Sequence, residues 1–399
     1  MRSGILNLIF LVFVLLLAFV AGRQGVSEFL AENTGRAEMA VAIDSGDPAA
    51  LRALAIKQAG KGKYTDAIAN FDRAVDSSPN DFRLLIERAN TRSAAGDTRG
   101  AEDDHRRSLD LAPKYALSNF SLGSFLFSQG RTVEAFQYLS RAGAMNAETM
   151  PEVLELARRA FPNDGLSIYD ALDPRTPARR KQTLMYLIDH DLLPDRVDWT
   201  RFGDIDGESS VAIVNELNGR RKFRLGYGLW RLNHARERMG IDSRLPVSGF
   251  AEDAEGEHGF GWHINDDEPR IAFSTAADAS VLNIKFTGNS DAGQMMLWQV
   301  APVGIARRYR FSFDAQTVNI VSGGLPIGVV ADAATGDSIA ETEPLIVRPG
   351  EWKTFQIDIS LSPQTEAVKI GIRRRACAAG PCPIFGELRL RNFALREIE

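Results

Sequence analysis

The feature that most constrains this chain is a repeat of fixed length in its first half. Four positions of one copy recur 34 residues later, and again after another 34 residues. The first copy has Ala67, Phe71, Ala74 and Pro79, the second has Ala101, His105, Ser108 and Pro113, and the third has Ala135, Leu139, Ala142 and Ala147. A period of this size without gaps predicts stacked helical hairpins, because each unit can bury its apolar face only against its neighbours.

Each copy also carries a small residue in the middle of its first predicted helix. This residue is Ala55, Ala89 or Gly123, again at intervals of 34 residues. A small side chain lets the two helices of a hairpin approach closely, and larger side chains fill the remaining space. The sequence therefore predicts three helix pairs between residues 48 and 149, with turns rich in glycine inside each pair.

The pattern resembles the tetratricopeptide repeat over residues 48–149. Its signature residues here are Ala67, Phe71, Ala74, Pro79, Ala101, Pro113, Gly123 and Ala135. The resemblance implies an α-solenoid whose concave face binds a peptide or partner protein. The alternative is a spacer that holds two other parts of the chain apart. His105 takes a place that is usually apolar or aromatic, and we interpret it as a packing residue.

The N-terminal segment predicts a link to a membrane. Residues 5–21 are almost entirely apolar, with Asn7 as the polar exception. We interpret residues 1–23 as a signal anchor that forms a single transmembrane helix, and residues 24–47 as a juxtamembrane spacer. This predicts a single-pass protein of the bacterial inner membrane with most of the chain in the periplasm. The alternative is a cleaved signal peptide and secretion to the periplasm.

Helical character continues after the repeats but without the 34-residue period. We interpret residues 150–240 as capping and coupling helices. After Gly240 short alternating segments follow, separated by glycine, asparagine, aspartate and proline. They predict eight or nine strands of an antiparallel β-sandwich, or jelly roll, over residues 245–399. One of the predicted strands is Pro344–Arg348.

Segments of this C-terminal region resemble jelly-roll domains of the carbohydrate-binding-module and galactose-binding-like kind. They are the stretches around Trp262, Trp298, Arg308–Phe311, Trp352 and Gly386–Leu390. An aromatic face can stack on a sugar ring while polar groups fix its orientation. The glycan-binding candidates are therefore Trp298, Gln299, Trp262, His263 and Trp352. The competing interpretation is that a tryptophan in a short strand fills the core.

The two cysteines, Cys377 and Cys382, lie in one proline- and glycine-rich loop. Outside the cytoplasm such a pair oxidises, so the sequence predicts a disulfide; a metal or redox pair is the alternative. No set of cysteines and histidines has the spacing of a metal site, and we expect neither a metal nor a cofactor. The net charge of −5 gives no electrostatic reason to expect a nucleic-acid partner.

The sequence shows no catalytic motif, so we expect a protein that is not an enzyme. The order of membrane segment, repeats and sandwich resembles tetratricopeptide proteins of bacterial exopolysaccharide and exosortase-type loci. The resemblance implies a membrane-anchored envelope scaffold in exopolysaccharide assembly or export. Its repeats would bind a protein partner and its sandwich a glycan or protein. The alternatives are a glycan-active lyase or hydrolase on the jelly roll, and a purely structural adaptor.

Overall fold

The computed structural model of the chain describes residues 14, 18–30, 36–233, 259–265, 271–275, 281–289, 293–304, 307–377 and 382–399. Its contacts group into two compact units, residues 1–174 and 175–399. The predicted membrane segment 1–23 lies largely outside the described residues. Within the described ranges, no helix combines the length and the apolar character that a membrane span requires.

The described part of the first unit is mainly helical. Residues 18–30 form a helix, and helices α1 to α9 follow it. Their bounds are Ala37–Ile43 (α1), Pro48–Ala59 (α2), Tyr64–Ser77 (α3), Phe82–Ala94 (α4), Thr98–Leu111 (α5), Ala116–Ser128 (α6), Thr132–Met145 (α7), Met150–Ala160 (α8) and Gly165–Leu172 (α9). The three predicted hairpins are therefore α2–α3, α4–α5 and α6–α7, and α8 and α9 pack on the last of them.

Local sequence explains where these helices begin and end. The side chains of Asp47 and Asp81 accept backbone N–H bonds at the starts of α2 and α4. Inside each hairpin a glycine with a positive φ reverses the chain. These glycines are Gly62, Gly96 and Gly130, at φ 74°, 86° and 76°. Glycine adopts the left-handed conformation at little cost in free energy. The turns inside the hairpins therefore recur every 34 residues, as the glycines do.

The core of the array lies between the two helices of each hairpin. Ala67, Phe71 and Ala74 are buried in the first hairpin. Ala101 in the second hairpin and Ala135 in the third occupy the equivalent buried places. The prolines at 79 and 113 lie exposed in the turns between hairpins. His105 is buried beside Phe125, with 5.1 Å between the ring centroids.

The second unit begins with three helices, the last of which contacts the β-domain. They are α10 (Pro177–Asp189), α11 (Gly207–Gly219) and α12 (Phe223–Asn233). The ring of Phe260 lies 5.4 Å from that of Tyr227 and 6.0 Å from that of Trp230, measured between centroids. Arg224 also donates a hydrogen bond to the carbonyl of Val303. These contacts place the last three helices in the same compact unit as the strands.

The β-domain consists of two five-stranded antiparallel sheets. One has the order β1-β4-β9-β6-β7 and the other the order β2-β3-β10-β5-β8. The strand bounds are His263–Ile264 (β1), Ile271–Thr275 (β2), Leu282–Asn289 (β3), Met295–Pro302 (β4), Arg308–Ser322 (β5), Pro326–Asp332 (β6), Ser338–Glu341 (β7), Lys353–Ser360 (β8), Ala367–Arg374 (β9) and Pro383–Ile398 (β10). The described residues thus contain ten strands.

The sheets face each other across an apolar core, which makes the domain a β-sandwich. Phe311 and Phe313 of β5 are buried in one sheet, and Ile370 of β9 is buried in the other. A Cβ on Gly328 of β6 would lie 2.6 Å from the Phe313 ring, so glycine is required where the two sheets approach.

The strand predicted at Pro344–Arg348 is wrong. Leu345 is buried and its N–H bonds to the carbonyl of Pro326. The N–H of Val347, however, bonds to the side chain of Thr317. Proline at position 344 has no N–H to donate, so a continuous ladder cannot form there. The N–H of Ile346 also bonds to the carbonyl of Pro344, as in a γ-turn, so the segment is not a strand.

Candidate functional site

The first helices of the three hairpins form one continuous layer. Helix α2 contacts α4, and α4 contacts α6. The Arg52 guanidinium on α2 donates two hydrogen bonds to the Glu87 carboxylate on α4, with N–O distances of 2.9 and 2.5 Å to Oε1. The layer therefore offers a surface that runs across all three repeats, which is where the sequence predicts a protein partner.

Apolar side chains are exposed along this layer. Ile56 on α2 is 46% exposed and Leu117 on α6 is 49% exposed. Asn90 of α4 is also exposed, between them in the order of helices. A surface that combines exposed apolar side chains with an amide can bind an extended peptide through both apolar contacts and hydrogen bonds.

A group of charged side chains lies between the first and second hairpins. Arg88 donates hydrogen bonds from Nε and Nη2 to the two Asp104 oxygens at 2.8 and 2.6 Å, and from Nη1 to Asp72 at 2.8 Å. Arg92 also bonds to Asp104, at 3.0 Å. Because these groups pair with one another, they join the first two hairpins.

The β-domain presents one of its candidate aromatic residues on the outer face of a sheet. Along β4, Leu297, Gln299 and Ala301 are buried, whereas Trp298 is half-buried and points away from the core. His263 of β1 is the direct partner of Trp298 across the strands. The two rings stack, with 5.2 Å between centroids and an angle of 4° between planes. The sheet pairing thus stacks the two rings against each other in parallel planes.

A lysine completes this group. Lys369 of β9 lies on the same outer face, and its Nζ is 4.4 Å from the centroid of the Trp298 indole. Burial lowers the pKa of Lys369. Burial also lowers the pKa of His263, a hydrogen bond with the Gly259 backbone opposes this, and the nearby Lys369 charge lowers it further. We call His263, Trp298 and Lys369 the outer-face triad.

The other candidates occupy different environments. Trp262 is 1% exposed and Gln299 is 0% exposed, so both are in the interior and a ligand on the surface cannot contact them. Trp352 is half-buried at the start of β8, where the Arg391 guanidinium lies 4.0 Å from its ring centroid. It belongs to the other sheet and is separate from Trp298.

Cys377 and Cys382 form the predicted disulfide. The fully buried Arg374 lies beside it and donates hydrogen bonds to the carbonyls of Gly324 and Cys382 at 3.1 and 2.6 Å. Among the residues with described positions, no group of three or more histidine, cysteine, aspartate or glutamate residues is arranged to hold a metal ion.

Sequence reasoning missed Lys369 and Arg391. The signal for Lys369 was present, because it is a charged residue between the apolar Val368 and Ile370 in an alternating strand. That alternation places it on the outer face. Its position beside Trp298, however, depends on β9 pairing with β4, which no local pattern predicts.

Comparison with known proteins identifies the class of the helical array. Residues 86–147 match the family model described as tetratricopeptide repeat. The chain thus contains tetratricopeptide repeats followed by a β-sandwich. None of the curated proteins compared matches it.

Solved structures resemble parts of the chain. The first tetratricopeptide domain of Spaghetti (RPAP3) bound to an HSP90 peptide is 22% identical over 28% of this chain and 94% of its own, with a TM-score of 0.26. The MamA protein is 16% identical over 49% of this chain and 97% of its own, with a TM-score of 0.27. A CBM4 structure is 11% identical over 35% of this chain and 86% of its own, with a TM-score of 0.27.

Proposed function

We propose that this protein is a non-enzymatic scaffold of the bacterial envelope. Its repeats hold a protein partner on the exposed surface of α2, α4 and α6, and its sandwich binds a glycan during exopolysaccharide assembly or export. Residues 1–23 anchor it in the inner membrane, with the bulk of the chain in the periplasm. The observation that carries the partner-binding role is the exposure of Ile56 and Leu117 on one continuous helical layer.

A photo-crosslinking experiment in the native cell tests the partner site. A photoreactive amino acid is placed at Leu117, and a matched one replaces Val133, which is 82% exposed on α7, the second helix of the same hairpin. We expect a discrete cross-linked protein from position 117 and none from 133. Loss of that product in an Ile56→Glu variant would show that α2 and α6 hold the same partner. Equal products from both positions would contradict the proposed surface.

The glycan-binding role is supported by a separate observation, the half-buried Trp298 with its stacked His263 on the outer face of a sheet. The test is retention of the full-length chain on immobilised envelope polysaccharides. We expect retention that falls at least tenfold in Trp298→Ala, since a sugar that packs on an indole ring buries a large apolar area. Absence of retention by every polysaccharide would favour the purely structural adaptor. Cleavage of a polysaccharide would contradict the non-enzymatic role.

A further inference from the structure

We propose that the N-terminal end of the repeat array lies on the membrane surface, with Val26 and the turn at residues 44–47 in the lipid headgroup layer. The inference rests on the proposed anchoring by residues 1–23. It deepens that proposal by naming lipid headgroups as the partner of this end of the array. It is carried by the way the first described helix, α1 and α2 pack against one another.

The helix of residues 18–30, which we call the N-terminal helix, carries the last residues of the apolar run 5–21. Phe19 in this part is 70% exposed, so the rest of the chain leaves it largely uncovered. Because a helix rises about 1.5 Å per residue, Val26 lies about 7.5 Å beyond the end of the run. The headgroup layer on each side of a bilayer is about 5–7.5 Å thick. The side chain of Val26 is 51% exposed and, like others on a helix, is directed toward the N-terminus, which brings it to this layer.

Helix α1 runs back along the N-terminal helix toward the apolar run. The Ser27 hydroxyl donates a hydrogen bond to the carbonyl of Ala40 at 3.1 Å. Arg23, one turn before Ser27, donates a hydrogen bond to the carboxylate of Asp44, one turn after Ala40, at 3.2 Å. The two helices are therefore antiparallel. It follows that the turn after α1 lies close to the height of Arg23, just beyond the apolar run.

Helix α2 then leads away from the membrane. Lys57 near its end forms an ion pair with Glu38 near the start of α1, with 2.7 Å between Nζ and Oε2. Since the turn at 44–47 joins the other ends of these helices, α2 is antiparallel to α1. The 12 residues of α2 span about 18 Å. Lys61, just after α2, therefore lies well outside the headgroup layer, and only the turn end of this hairpin reaches it.

The charges of the turn are compatible with anionic lipids. Asp44 accepts hydrogen bonds from Arg23 and from the N–H of Gly46, and Asp47 accepts one from the backbone at the start of α2. Both carboxylates are buried, so neither is directed at lipid phosphates, which would repel it. Ser45 and Gly46 are exposed between them. The turn therefore presents small uncharged residues to the headgroups.

The test measures how close three positions of the full-length chain lie to lipid. A fluorescent label is attached to Val26→Cys, Ser45→Cys or Lys61→Cys, and the native cysteines do not compete because they form a disulfide. The chain is reconstituted in vesicles of phosphatidylethanolamine and phosphatidylglycerol that contain a lipid with a nitroxide quencher on its headgroup. We expect loss of fluorescence at positions 26 and 45, where the label contacts lipid, and no loss at position 61.

Other outcomes separate the proposal from the anchoring on which it rests. If the chain resists extraction by alkaline carbonate but the labels at 26 and 45 stay in water, the surface contact is overturned while the anchoring stands. Extraction of the chain would overturn both. Labels that are shielded from water without being quenched by the lipid would overturn the proposal, because a protein such as a second copy would then cover this end. Equal quenching at position 61 would also overturn it.

Two variants test whether packing against α1 holds the turn at the membrane. Ser27→Arg places a charged side chain at a fully buried position, and Gln24→Arg makes the same change in charge at an exposed position of the N-terminal helix. In Ser27→Arg the label at position 45 should lose its quenching, whereas the label at position 26 should keep it. Gln24→Arg should alter neither. Equal quenching at position 45 in the two variants would contradict the proposed packing.

Discussion

Arg88 and Asp104 form a buried, bidentate ion pair between the two helices of the second hairpin. The equivalent positions for Arg88 in the other hairpins are Leu54 and Leu122, 34 residues away on either side. Arginine therefore replaces an apolar residue at this position in one repeat only. Arg92 and Asp104 in turn occupy the same places as Gln58 and Asn70, which are joined by a hydrogen bond of 2.8 Å in the first hairpin.

Removal of one partner of this ion pair should destabilise the first unit. In Arg88→Ala the Asp104 carboxylate stays buried and keeps only Arg92 as a cation, so the free energy of unfolding should fall by about 3 kcal/mol. All five tryptophans lie in the second unit. The measurement is therefore hydrogen exchange of peptides from α4 and α5, followed by mass spectrometry.

The control for this prediction is Arg99→Ala, an exposed arginine on α5, which should change the stability by less than about 0.5 kcal/mol. A double-mutant cycle with Asp104→Leu should give a strong coupling energy. If Arg88→Ala and Arg99→Ala had equal effects, the buried pair would not contribute as argued.

The stability of the same unit should fall as the pH decreases. Burial lowers the pKa of His105 to about 4, against an ordinary value of 6.5, while the Asp104 charge opposes the shift. Between these values the unfolded chain binds more protons than the folded chain. The free energy of unfolding should therefore decrease as the pH falls from 6.5 to 4, by on the order of 3 kcal/mol from this group, and change no further below 4.

The contribution of His105 is isolated by difference. His105→Phe introduces the residue type found at Phe71, the equivalent position in the first repeat. Between pH 6.5 and 4 the free energy of unfolding of this variant should decrease less than that of the wild-type chain, by on the order of 3 kcal/mol. His190→Phe, which replaces an exposed histidine in the second unit, should leave the pH dependence of the first unit as it is. Identical pH profiles for the wild-type chain and His105→Phe would refute the prediction.

A methyl group at position 123 should destabilise the third hairpin. A Cβ on Gly123 would lie 2.7 Å from Cγ of Leu139 and 3.1 Å from the carbonyl oxygen of Ala135. Alanine favours a helix over glycine by about 1 kcal/mol, and the steric overlap opposes this gain. We expect the overlap to be the larger effect, so that Gly123→Ala lowers the free energy of unfolding by about 1 kcal/mol net. Hydrogen exchange of α6 and α7 measures the change. Gly219→Ala, where a Cβ meets nothing within 4 Å, should be neutral or stabilising in its own unit.

Loss of Arg374 should destabilise the second unit and expose the disulfide. Arg374→Met removes the donors to the Gly324 and Cys382 carbonyls and to the Ser322 hydroxyl. Buried acceptors without donors cost about 1–3 kcal/mol each, so we expect a loss of at least about 3 kcal/mol. Urea unfolding followed by tryptophan fluorescence measures the stability, and the rate of reduction by dithiothreitol should rise.

The neighbouring Arg375 provides the comparison for this variant. Its side chain is exposed, and its Nη2 lies 3.9 Å from Oε2 of Glu341. Arg375→Met should change the stability and the reduction rate little, since an exposed pair of this kind contributes at most about 1 kcal/mol. Equal effects of the two variants would contradict a specific role for the buried guanidinium.

Local patterns predicted much of the fold. The 34-residue period placed the hairpins, because side chains at helix spacing, a turn glycine and a capping aspartate act within a few residues of one another. Short alternating segments likewise predicted the strands β3 to β6 and β8 to β10. The short strands β1, β2 and β7 were missed, since two to five residues carry too little alternation to be recognised.

The candidate site residues were also predictable only as far as local sequence determines them. Trp298 and His263 could be predicted as candidates from residue type alone, because aromatic and polar side chains are the types that bind sugars. Residue type also selected Trp262 and Gln299, which are buried. Their burial could not be predicted, because it depends on which face of each strand meets the other sheet. The sequence also could not place Lys369 beside Trp298, since they are 71 residues apart in the chain and adjacent only through the pairing of β4 with β9.

By itself, the sequence determined that this protein has an array of helical hairpins followed by a β-domain closed by one disulfide loop. Those features depend on interactions between residues close in the chain, whose period can be read directly. Only the tertiary structure decided which tryptophan faces outward, which lysine lies against it, and that α12 packs with the strands. Each of these depends on a long-range contact, and many different pairings would satisfy the same local pattern.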